Sequence, residues 1–174
     1  MKGKIILLLG LSWLVACKPM ELKQIDLIKN RVMVQVADTV IKAELMEGKI
    51  SIDLRHTYFW FENGRINSSQ GAYSGKLLHG NFKSYHSGSK RLLVAGQLDH
   101  GLKTGSWLSW YGDGNLMQRK MYKNGLLDGL FMQFDSSGRP VDTMKYRKGI
   151  LKQQKTDTVG FYRKFKRFLK FKKK

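Results

Sequence analysis

The order of apolar and polar positions divides the chain into stretches of different character. Residues 5–16 form one apolar run behind Lys2 and Lys4, while residues 17–30 turn polar, with Met20, Leu22, Ile25, Leu27 and Ile28 scattered through them. The second stretch reads as a tether, with apolar content enough for a short helical turn or two. From residue 31 the period becomes two. Val32, Val34 and Val36 alternate with Met33, Gln35 and Ala37, and β-branched residues return in Thr39-Val-Ile-Lys and in Ile50-Ser-Ile-Asp-Leu. Such alternation, with Glu47-Gly48 between two runs, predicts strand, turn and strand, so residues 31–59 are expected to hold roughly three or four strands. Thr57-Tyr-Phe-Trp-Phe61 predicts a further strand ending at Asn63-Gly64.

Beyond Trp60 the pattern repeats. Gly105-Ser-Trp107-Leu-Ser-Trp110 has the form Gly-x-aromatic-x-x-aromatic, which occurs also in Gly80-Asn-Phe82-Lys-Ser-Tyr85 and Gly129-Leu-Phe131-Met-Gln-Phe134, with starts 25 and 24 residues apart. A glycine follows each aromatic strand, at Gly64, Gly88, Gly114 and Gly138, and return segments close on Gly75, Gly101, Gly125 and Gly149. A fixed period of this size marks a repeat architecture. These glycines, together with Gly80, Gly105 and Gly129, are expected at turns, because type I′ and II′ hairpin turns and the G1 bulge need positive φ. Gly88 to Gly101 spans 13 residues where the other return segments span 11, which predicts a bulge or a longer turn in that unit.

The sequence Gly-x-Trp/Phe-x-x-Tyr/Trp/Phe, followed by glycine, a return strand and Lys123-Asn124-Gly125, resembles the MORN repeat in its bacterial variant form over residues 60–151. The unit Gly105 to Gly125 matches best; the one starting at Gly129 carries Pro140 in its return strand. The resemblance implies a mainly β fold, a meandering antiparallel sheet in which each repeat supplies one hairpin. Within each unit the two aromatics lie three apart, so Trp107 and Trp110, Phe82 and Tyr85, and Phe131 and Phe134 should point to opposite faces unless a bulge intervenes. A single layer cannot bury both faces against itself. Strands of residues 31–59 extending or folding over the sheet, the C-terminal segment, or a partner or second copy could supply the cover. Trp107, Phe82 and Phe131 are expected to stack on neighbouring strands. Trp110 and Tyr111, with Tyr85 and Phe134, are the candidates for contact with a partner.

Charge and the two ends bring in function. The formal net charge is +19 over 174 residues, a balance that argues for anionic partners. The single cysteine excludes an internal disulfide framework. The apolar run has the layout of a secretory signal over residues 1–16. Its end, Leu14-Val15-Ala16-Cys17, resembles a bacterial lipobox, which implies lipid attachment at Cys17; an ordinary signal or a single membrane anchor are the other readings. The full layout also resembles repeat lipoproteins of the Bacteroidetes type; Lys18 then implies sorting to the outer membrane, and Lys18-Pro-Met-Glu21, which lacks the acidic run of surface-exported relatives, implies its periplasmic side. Residues 152–174 form a basic tail, with eight Lys/Arg and no acid from Val159 to Lys174. At helical spacing, Phe161, Phe165 and Phe168 fall on one stripe, with Arg163, Lys164, Arg167 and Lys170 on the other sides. That pattern suits a short C-terminal amphipathic helix on an anionic membrane surface, and also a solvated, unfolded tail.

No constellation for catalysis, cofactor binding or metal binding is apparent. His79 and His100 each precede a glycine, as Asp128 precedes Gly129, and so read as turn positions. Asp99, Asp113, Asp128 and Asp135 have the same reading. The expectation is a non-enzymatic envelope lipoprotein, without cofactor, metal, nucleic acid or small-molecule substrate. Its sheet would be a scaffold or a protein- or membrane-recognition surface. An inhibitor or immunity-type (antitoxin-like) protein binding through the aromatic sheet face is the alternative.

Overall fold

A computed structural model describes residues 30–155. Eleven strands follow one another: β1 Arg31–Val36, β2 Thr39–Leu45, β3 Thr57–Glu62, β4 Arg65–Gln70, β5 Lys76–His86, β6 Leu92–Asp99, β7 Leu102–Trp110, β8 Leu116–Lys123, β9 Leu126–Phe134, β10 Pro140–Arg147 and β11 Ile150–Lys155. Every pairing between them is antiparallel, and the main path runs β1-β2-β5-β6-β7-β8-β9-β10-β11, with β3 and β4 off it. The protein is mainly β, a meandering hairpin sheet.

Local turn chemistry sets most of this order. Asn63-Gly64, His100-Gly101, Asn124-Gly125 and Lys148-Gly149 all have positive φ at both residues, which is the backbone of a two-residue type I′ hairpin. Each of the last three turns is strapped to an earlier strand: Gly101 N–H donates to Leu78 O (2.7 Å), Gly125 N–H to Lys103 O (2.9 Å) and Gly149 N–H to Leu127 O (2.8 Å). The acceptors lie two residues before Gly80, Gly105 and Gly129, so the strap recurs with the glycine spacing. Gly80, Gly105 and Gly129 keep positive φ but lie inside β5, β7 and β9 and not at turns. Of the expected glycines only Gly88 lacks positive φ; in its turn Lys90 adopts φ 55° instead, and β5 shifts register against β6 between Ser84 and Tyr85. The longer unit therefore differs by its longer turn; the bulge recurs in the other units, between Ser109 and Trp110 and between Pro140 and Asp142.

At the β9–β10 turn, Asp135 accepts hydrogen bonds from Ser137 N (3.0 Å), Ser137 Oγ (2.6 Å) and Arg139 N (2.9 Å). The Ser137 bond, followed by those of Arg139, lowers its pKa from 3.8 to about 2. A carboxylate whose folded pKa is depressed stabilises the fold above the unfolded value, and that contribution is lost as pH falls from about 4 to about 2. Asp135→Asn should thus flatten the acid limb of a stability–pH curve in that window. An unchanged limb in urea titrations would contradict the assignment.

Two expectations for the N-terminal stretch need correction. Ile50-Ser-Ile-Asp-Leu forms no strand; residues 46–56 are a connection, with Ile52 and Leu54 45% and 75% exposed. The strand pair is joined instead at Ala37-Asp38, closing β1 onto β2 from Val36↔Thr39 to Arg31↔Glu44. Alternation alone could not distinguish these cases, because the run at residue 50 lacks a strand to pair with.

The cover of the aromatic face comes from two directions. The β1–β2 hairpin extends the sheet, pairing with β5 from Thr39↔His86 to Leu45↔Leu78. The β3–β4 hairpin departs from the path and pairs with β5 only at Trp60↔Leu77 and Phe61↔Lys76. Phe59 N–H donates to Gly101 O (2.8 Å), which ties this hairpin to the β6–β7 turn. Its Phe59, Phe61 and Ile66 pack on the core cluster of Ala43, Leu45, Leu78, Leu98 and Trp107. Leu77 and Leu78 are adjacent on β5 and both fully buried. Successive strand residues point to opposite faces, so the start of β5 is covered on both.

Candidate functional site

The first aromatics of the recurring motif are structural. Phe82 and Trp107 lie 5.3 Å apart between ring centroids, Tyr122 meets Trp107 edge-on at 6.3 Å, and the Trp107 indole donates to Gln97 O (3.1 Å). Lys103 Nζ sits over Trp107 at 4.4 Å, over Phe59 at 4.9 Å and over Tyr122 at 5.4 Å. Burial, and secondarily the charge of Lys120, holds its pKa below the usual lysine value. Phe131 has the same kind of neighbours, Tyr146 at 6.4 Å and Lys120 Nζ at 4.8 Å.

The second aromatics fall at the ends of β5, β7 and β9. Their registers match: Tyr85 faces Leu92, Trp110 faces Leu116 and Phe134 faces Pro140. Phe134 nevertheless is only 3% exposed, so it joins the core and is not a free contact residue. Tyr111 donates from its hydroxyl to Phe134 O (2.8 Å), a bond that commits it to the turn. Tyr85 and Trp110 remain half-buried.

Around Tyr85 the strand pairing assembles a feature that no stretch of sequence displays. Lys42 on β2 is directly opposite Lys83 on β5, and both are exposed. Lys42 Nζ lies 5.7 Å from the Tyr85 ring. Arg31, Met33 and Glu44 complete a shallow groove of about 480 Å³ on this part of the sheet. Glu44 is occupied: it pairs with Arg31 (3.7 Å) and accepts from Asn81 N (3.2 Å) and Asn81 Nδ2 (3.3 Å). Met33 is 71% exposed on β1, the edge strand of the path. The groove is therefore cationic, partly apolar and open beside a strand edge.

A second cluster lies where β5 meets the β6–β7 turn. The ligand atoms of His79, Asp99 and His100 lie within 4.8 Å of one another, on side chains that are all exposed. His100 Nδ1 is 2.6 Å and His79 Nδ1 3.4 Å from Asp99 Oδ1, and His100 N–H donates to His79 Nδ1 (3.3 Å). His100 occupies a turn, as the sequence suggests, but His79 does not: it lies within β5, as Asp128 lies within β9, because the strands begin before the glycines that follow these residues. Their mutual approach was legible only in the spacing: His79 and His100 are 21 residues apart, and the corresponding Asp128 and Lys148 are 20 apart with the same kind of contact, Lys148 N–H to Asp128 Oδ2 (3.4 Å). His86 braces its own turn by accepting from Ser89 N (3.2 Å).

Cys17 and the tail residues Phe161, Arg163, Lys164, Phe165, Arg167, Phe168 and Lys170 lie outside the described residues. Among the described residues no helix is long and apolar enough to cross a membrane. No family model, no curated protein and no solved structure matches the chain.

Proposed function

We propose that the chain is a non-enzymatic, lipid-anchored protein of the bacterial envelope whose hairpin sheet is a recognition surface, and that its β1-β2-β5 face takes an extended acidic segment of a partner protein. The observation that carries this reading is the Lys42↔Lys83 pair. Like charges directly opposite in an antiparallel pair destabilise a sheet. An anionic side chain placed between them would remove that repulsion on binding. Tyr85 and Met33 add apolar contact, and the outer edge of β1, which pairs with no other strand among the described residues, offers backbone groups to an added strand.

The apolar run ending at Cys17 supports the anchor, and the MORN-like glycine and aromatic spacing supports a scaffold of repeated hairpins. The basic tail supplies a second attraction to an anionic membrane. Binding of an inhibitor or immunity type through the aromatic row is the weaker alternative, because burial of Phe134 breaks that row.

The test uses the full chain. Wild type should bind an immobilised glutamate-rich peptide at least ~10-fold more tightly than Lys42→Glu/Lys83→Glu, a loss on the order of 1.4 kcal/mol or more. Equal affinity would remove the groove from the function and assign any binding to other basic residues. Cys17→Ala should shift the chain from the membrane to the soluble fraction and abolish acyl labelling; retained label would refute lipidation there.

A further inference from the structure

We infer that His79, Asp99 and His100 form a binding site for a divalent transition-metal ion of the zinc type. The turn itself does not require this set of side chains. At the next corner of the sheet the positions of His79 and His100 are held by Thr104 and Asn124, and Asn124 takes φ 49°, the same as His100. Asparagine is among the residues that adopt this left-handed conformation most readily. One acceptor suffices for the brace, as Asp128 shows with Lys148 N. The second imidazole and the Asp99 carboxylate are therefore surplus to folding.

Hydrogen-bond roles supply the second argument. His79 Nδ1 accepts from His100 N–H, so that nitrogen presents a lone pair and no proton. It also lies 3.4 Å from Asp99 Oδ1. That nitrogen has a single lone pair, so a cation between it and Asp99 Oδ1 would take the place of the His100 N–H and bind the two side chains in its stead. In a tetrahedral zinc site, with metal–ligand distances of about 2.0–2.2 Å, neighbouring ligand atoms sit roughly 3.3–3.5 Å apart. The His79–Asp99 separation already has that value.

His100 completes the set by releasing its 2.6 Å bond to Asp99 and turning its ring, a soft two-fold torsion on a side chain that is 48% exposed. Two imidazoles and one carboxylate favour zinc, nickel or copper over calcium or magnesium, which want oxygen ligands. The remaining coordination position faces solvent. Bound metal would clip the β6–β7 turn to β5 beside the place where the β3–β4 hairpin is tied on.

The experiment is calorimetric titration of the full chain, purified in detergent without a histidine tag, with zinc chloride at neutral pH. One zinc per chain is expected, with no heat from magnesium, and a rise in thermal midpoint of about 5 °C or more at zinc concentrations ~100-fold above Kd. His79→Thr/His100→Asn copies the residues of the next corner and should fold, yet bind zinc at least ~10-fold more weakly. Equal binding by this variant, or none by wild type, overturns the site. Imidazole nitrogen shifts in the wild-type chain decide the case if the variant misfolds: movement of the His79 and His100 signals with zinc supports the site, and movement confined to His56 or His86 refutes it.

Discussion

Trp107→Ala is expected to destabilise the sheet by about 3–5 kcal/mol, the range for removing a buried tryptophan. The side chain is 7% exposed and holds together parts that are distant in sequence: Phe82 on β5, Tyr122 on β8 and, through the core cluster, the β3–β4 hairpin. Its loss also leaves Gln97 O without the indole donor and Lys103 without the ring beneath its ammonium. A typical domain has only about 5–15 kcal/mol in total, so the variant would be marginal at physiological temperature. Urea unfolding of the full chain, followed by circular dichroism, measures this as a lower midpoint. A loss below about 1 kcal/mol would show that the cluster is not the keystone of the fold. Water admitted to the vacated space should also move the Lys103 pKa back towards its usual value, since burial is the main cause of its depression.

Gly96→Ala is the counterpart from the other side of the same contact. A Cβ on Gly96 would meet the Trp107 ring at Cδ2, Cε2 and Cγ, the last at 2.8 Å. The φ of Gly96 is not positive, so the cost is steric rather than conformational. Overpacking of this kind costs about 1–3 kcal/mol. In a Trp107→Ala background the same substitution should be neutral or stabilise by several tenths of a kcal/mol, because the clash is gone and alanine suits a strand better than glycine. The double-mutant cycle should therefore show a coupling of about 1–3 kcal/mol. Additive effects would mean that the ring does not rest on Gly96.

Much of the meander was legible in the sequence because its determinants are local. Asn63-Gly64, His100-Gly101, Asn124-Gly125 and Lys148-Gly149 specify two-residue hairpins whatever surrounds them, and they appear as such, whereas Gly75 ends a longer connection between β4 and β5, which do not pair. The opposite-face expectation for Trp107 and Trp110 depends on an unbroken two-residue period; β7 runs through both, but its pairing with β8 shifts register between Ser109 and Trp110, a bulge that local alternation does not announce. Phe134 was misjudged for a different reason. Its position in the motif equals that of Tyr85 and Trp110, but burial depends on what neighbouring strands bring, and a motif does not carry that information. The loop at residues 46–56 failed on the same ground, since β-branched alternation is a preference for a pleated, half-buried surface and not a guarantee of a partner.

Spacing of glycines and alternation of side chains, both interactions within a few residues, determined the hairpins and the mainly β class. Only the tertiary structure decided that β2 takes the place beside β5 while β3 and β4 fold over Trp107. That choice brings Lys42 opposite Lys83, 41 residues on, and the β6–β7 turn against β5 brings His79, 20 residues before Asp99, into the same cluster. Non-local pairing is settled by the burial that a whole arrangement achieves, a quantity that no window of the sequence contains.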